Sequence, residues 1–128
     1  MSDDNVNRAA ADALRRFWSG FGVAAFVRGC VPKGYKMPYI EYGVAMPRFL
    51  SKSAETARIY VFSEGFGMMD EIVSKVSAAI PEEGVLIRLD NSRGIMRIGR
   101  RDGFVSYEGG GDNLVKVCEV EYFLGWYC

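Results

Sequence analysis

Pro38-Tyr39-Ile40-Glu41-Tyr42 decides how the chain is read. Successive side chains of a strand point to opposite sides, so this stretch sorts its residues in two. Ile40, Tyr42 and Val44 fall on one face, and Tyr39, Glu41 and Gly43 on the other. That alternation marks a half-buried strand, with its first face packed against a cover. The rest of the chain must supply that cover.

Two amphipathic helices do so. Upstream, Ala10, Ala13, Leu14, Phe17, Trp18 and Phe21 recur at three- and four-residue spacings and predict a helix over Asn7 to Phe21. Gly20 and Gly22 stop it. Downstream, Met68, Met69, Ile72, Val73, Val76, Ala79 and Ile80 predict a second helix over Gly67 to Ile80, ended by Pro81. Asp70 and Glu71 near its start and Lys75 later suit the helix dipole.

The remaining segments read as strands. Val23 to Cys30 comes first, followed by a turn at Val31-Pro32-Lys33-Gly34. The opening stretch then starts a strand running from Tyr39 to Phe49, with a bulge or edge position at Met46-Pro47. Leu50 to Ala54 connects it to a strand over Thr56 to Ser63. Val85 to Leu89 and Gly94 to Ile98 form a hairpin across Asp90-Asn91-Ser92-Arg93. Phe104 to Tyr107 is a further extended piece, Gly109 to Asn113 a flexible loop, and Leu114 to Trp126 the longest strand. The predicted order is α-β-β-β-α-β-β-β. The expected fold is α+β, one domain over residues 1–128, with a mostly antiparallel sheet and two helices on one face.

Composition bounds the function. With 128 residues the chain suits a single domain. Its 16 basic and 16 acidic residues cancel, which argues against bulk nucleic-acid binding but leaves room for a local patch. No apolar run approaches the ~18 residues that span a membrane. Met1-Ser2-Asp3-Asp4-Asn5 is acidic and polar, unlike a secretory signal. Cys30, Cys118 and Cys128 are far apart and form no Cys-x-x-Cys pair, so reduced thiols are expected rather than a metal site.

Catalytic chemistry finds little purchase. The chain has no histidine, the commonest general base. Glu119 and Glu121 lie two apart on a strand, where a solvated face explains them better than an acid pair. Gly109-Gly110-Gly111 lacks the Gly-Lys-Ser/Thr ending of a phosphate loop. No enzyme activity and no cofactor are expected.

Two features remain. Arg88, Arg93, Arg97, Arg100 and Arg101 cluster against one acid, Asp90. Arginine forks suit phosphate or carboxylate, so this hairpin is either a solvated surface with ion pairs or one facing DNA or an acidic partner. The aromatics also exceed what one small core hides: Trp18, Tyr35, Tyr39, Tyr42, Tyr60, Phe62, Phe66, Tyr107, Phe123, Trp126 and Tyr127. Two helices cover only one face of a sheet, so an oligomer burying some of the remainder is expected.

Several segments, in order, resemble the tail-terminator (tail-completion, minor capsid or head-tail connector) proteins of long-tailed bacteriophages and prophages. They are Leu14-Arg15-Arg16-Phe17-Trp18 with Phe21-Gly22, Val31-Pro32 with Pro38-Tyr39-Ile40-Glu41-Tyr42, Gly84-Val85-Leu86-Ile87, Gly94-Ile95-Met96-Arg97-Ile98 and Glu121-Tyr122-Phe123. Glu41 departs from the Thr or Ser frequent there, and Phe62 to Phe66 lacks a tryptophan expected before the second helix. The resemblance implies a virion protein at the head-tail junction. It would form a ring with itself, expected as a hexamer, that caps the tail tube and joins it to head-completion proteins. Contact with DNA would be transient and non-specific. A ring needs two different meeting patches per subunit. The candidates are the oligomer-interface residues Tyr39, Glu41, Arg58 and Tyr60, and the lumen- or partner-facing residues Arg93, Arg97, Arg100 and Arg101. The alternative is a small nucleic-acid-binding module using the Arg88–Arg101 hairpin.

Overall fold

A computed structural model describes residues 3–44, 52–89, 94–108 and 114–127. The elements run α1 (Asp3–Trp18), a 3-10 turn (Ser19–Phe21), β1 (Ala24–Val27), β2 (Tyr39–Tyr42), β3 (Lys52–Phe62), α2 (Gly67–Ala79), β4 (Val85–Arg88), β5 (Ile95–Glu108) and β6 (Val115–Tyr127). The six strands form one sheet in the order β1-β2-β3-β6-β5-β4.

The sheet is mixed, where the sequence predicts a mostly antiparallel one. β1 and β2 run parallel, with Ala24 beside Tyr39 and Val27 beside Tyr42. The pairs β2–β3, β3–β6, β6–β5 and β5–β4 are antiparallel. The reason lies in the connection 28–38. It makes two turns, closed by Cys30 N–H to the Val27 carbonyl and by Tyr35 N–H to the Pro32 carbonyl. Gly29 and Gly34 hold positive φ in them, at 84° and 78°. Two reversals return the chain to its original direction, where the sequence showed only the Val31–Gly34 turn.

Strand boundaries also shift. β3 begins at Lys52, inside the predicted connector. β5 joins the two predicted pieces around 94–98 and 104–107 into one strand with a bulge between Arg100 and Val105. There the four residues 101–104 face the single residue 121, so the bulge reverses which parity of β5 faces the core. The proposed bulge at Met46-Pro47, the Asp90–Arg93 turn and the triglycine loop lie outside the described residues.

Both helices cover the same face. Ile40 and Tyr42 of β2, Ala57, Ile59 and Val61 of β3, Cys118, Val120, Tyr122, Leu124 and Trp126 of β6, and Met96 and Ile98 of β5 are buried there. α1 adds Ala10, Ala13, Leu14 and Trp18, and α2 adds Met69, Ile72, Val73 and Val76, to the same core. Trp18 is its hub. Its ring stacks at 6.1 Å on Tyr42, lies 5.3 Å from Tyr122, and meets Phe17 edge-on at 5.1 Å. Such aromatic pairs stabilise beyond the area they bury. Trp18, Tyr42, Tyr122 and Trp126 are thereby core residues rather than surface aromatics.

Candidate interaction face

The opposite face of the sheet, turned away from the helix-packed core, carries a second group of aromatics. Tyr39 pairs across to Tyr60, and Glu41 to Arg58. These four residues, each predicted as an interface position, therefore sit side by side on two neighbouring strands. Tyr39 and Tyr60 have ring centroids 5.0 Å apart. Phe26 of β1 and Tyr35 of the connection extend the group, with Phe26–Tyr35 at 4.9 Å, Tyr35–Tyr39 at 6.1 Å and Phe26–Tyr39 at 6.3 Å. Partial burial raises the Tyr39 phenol pKa above its ordinary value, with Tyr60 and Glu41 adding to the effect.

Phe62 lies two residues beyond Tyr60 on the same face and is 59% exposed. With Tyr35, Lys36 and Met37 it lines a cleft of about 300 Å³. Phe26 and this cleft were not legible as a unit. Ala24-Ala25-Phe26-Val27 gives no polar alternation to assign its faces, and Tyr35 reaches the group only through the double turn.

Below the aromatics runs a charged row. Glu41, Arg58, Glu119 and Ser106 align across four strands. Arg58 Nε and Nη2 each lie 3.2 Å from Glu119 Oε2. Glu41 Oε2 accepts from the Gly29 N–H at 3.3 Å, which ties the start of the connection to β2. The Arg58 pKa is raised, first by its hydrogen bond with Tyr60. Glu119 and Glu121 do share this face, as the alternation predicted, with Glu119 in an ion pair.

The arginine cluster is placed differently. Arg100 donates from Nε to the Ile80 carbonyl at 2.5 Å and from Nη2 to the Ser77 carbonyl at 3.0 Å. It also lies 4.4 Å over the Phe104 ring. The last carbonyls of a helix have no partner within it, and Arg100 supplies one for α2. Arg97 donates to the Glu83 carbonyl at 2.8 Å and lies 5.5 Å from the Phe123 ring centroid. Two of the four arginines offered as lumen- or partner-facing thus bind groups within the subunit. Arg101 is half-buried in the β5 bulge, and Arg93 lies outside the described residues.

A second tie closes the other end of α2. Tyr107 donates its hydroxyl to Asp70 at 2.8 Å, and burial followed by that carboxylate pushes its pKa up to about 12. Buried Lys116 donates from Nζ to the Ser63 carbonyl at 3.0 Å and lies 5.2 Å over Phe66. Among the described residues no group of three Cys, Asp or Glu side chains is arranged to hold a metal, and no helix is long and apolar enough to cross a membrane. Neither the known protein-family models nor the curated proteins match this chain.

Proposed function

We propose that this chain is a structural subunit that assembles with itself through the open face of its sheet, in the manner of a phage tail terminator. The ring, a hexamer on this reading, caps a tail tube and presents a joining surface to head-completion proteins at the head-tail junction. Its role is assembly rather than turnover. One observation carries the reading: both helices lie on one face, and the other face displays a contiguous aromatic group beside a charged row. Exposed apolar patches flanked by polar residues are what protein interfaces use. Arg97 and Arg100, held within the subunit, speak for a protein partner over DNA as the main contact. The test is to mix the purified chain with polymerising tail-tube protein from the same genome. Rings at tube ends by electron microscopy, with arrested tube growth, are expected. Tubes that grow to unregulated length with no bound subunit overturn the reading.

A further inference from the structure

The open face ends in two unlike corners. At one, Tyr35, Lys36, Met37 and Phe62 line the 300 Å³ cleft, and exposed Lys33 lies three residues before Lys36 in the same connection. At the other, Leu86 on the outermost strand β4 is 64% exposed, the most exposed large apolar side chain among the described residues. Its register partner is Arg97, which places it on the same open face. Immediately before it the turn 81–84 presents exposed Glu82 and Glu83. Arg88 lies farther along β4, opposite Ile95, away from that turn.

The two corners cannot meet within one chain. Phe62 pairs with Val115 at one end of β6, whereas Leu86 aligns through Arg97 with Gly125 near the other. Ten residues of strand separate these rows, about 33 Å at ~3.3 Å per residue, and β3 and β4 lie three strand spacings apart. Their contents are nonetheless complementary. One is an apolar cleft with Lys36 in its lining, the other an apolar side chain between the acidic turn and Arg97, whose guanidinium is already bonded to the Glu83 carbonyl. The formal net charge of zero adds no long-range repulsion between copies.

We infer that the Tyr35–Phe62 cleft of one copy receives Leu86 of a second copy, with Lys33 and Lys36 facing Glu82 and Glu83. The occupant is this chain itself. The inference rests on the self-assembly reading above and names the two patches that meet. Each copy offers both patches, so the contact repeats head to tail and closes as a ring, or pairs twice in a face-to-face dimer.

Sedimentation velocity over a concentration series, at low and high salt, tests the contact. The wild-type chain should associate, more weakly at high salt. Leu86→Glu and Lys36→Glu should each weaken association by roughly tenfold or more. The exchanged pair Lys36→Glu with Glu83→Lys should recover most of the loss. Thermal melts of the same variants check that each remains folded, since all these positions are exposed. A chain that stays monomeric throughout, or associates unchanged in Leu86→Glu and Lys36→Glu, overturns the inference, as does an exchange that restores nothing. Assembly that stops at two copies, yet obeys the exchange, upholds the contact and removes the ring reading. Failure to cap tubes with the exchange intact likewise removes only the tail-terminator role.

Discussion

The covered and open faces of the sheet are built from the same strands, alternate residue by alternate residue. On the covered side Tyr42, Ala57, Val120 and Val105 form one row, apolar throughout. One residue away on each strand, Glu41, Arg58, Glu119 and Ser106 form the next row on the open side. Backbone hydrogen bonding is common to both, so it cannot explain the difference. What differs is the cover. Trp18 and the α2 stripe exclude water from one row, and an ion pair in the other remains in reach of solvent. Burial fixes stability, and the face left open is where function must be sought.

The sharpest way to break this contrast is thiol reactivity. Cys118 lies on the covered face, and burial pushes its thiol up to about 11. Cys30 is exposed at the end of β1. Site-resolved alkylation at pH 8 should label Cys30 at least ~1,000-fold faster, because Cys118 reacts only after the core opens. Equal rates would show the helices are not a lasting cover. The folded pKa of Cys118 lies above the ordinary value of 9.0, so the neutral thiol contributes in full below about pH 9. That contribution falls as pH rises toward about 11.

Trp18→Ala should cost about 3–5 kcal/mol by chemical denaturation, since it empties the hub of the covered face. Arg100→Met should cost about 1–3 kcal/mol by leaving the Ser77 and Ile80 carbonyls without their donor. If Arg100 instead faced a partner, stability would hold and only association would suffer. Tyr39→Ala should cost about 1 kcal/mol or less in the isolated subunit, because only cross-strand ring contacts are lost. Its association should fall far more, and equal losses in both assays would make Tyr39 a folding residue. Glu119→Gln is the mildest, at about 0–1 kcal/mol, as expected of a pair in which Arg58 is half exposed to water.

Much of this contrast is legible in the sequence. The split of Ile40 and Tyr42 from Tyr39 and Glu41 needs only the two-residue period of a strand, which neighbours in the chain carry. The helix stripes follow likewise from a 3.6-residue period. The roles of Arg97 and Arg100 were not legible. Their acceptors are backbone carbonyls at 77, 80 and 83, and every residue has one, so composition gives no signal for the pairing. The bulge in β5 was hidden for a related reason. An extra loop of residues shows only against the partner strand that does not share it.

The sequence by itself determined the two helices, the order of elements and the faces taken by the residues of β2, β3 and β6, because periodicity is a local property. Tertiary structure alone decided that β1 returns parallel to β2 and that Phe26 and Tyr35 join Tyr39. It also decided that Arg100 closes the end of α2 and that Arg97 bonds the turn after it. Each of these depends on segments far apart in the chain meeting in one register. The free energy of such a meeting belongs to the packed whole, and no single stretch of sequence carries it.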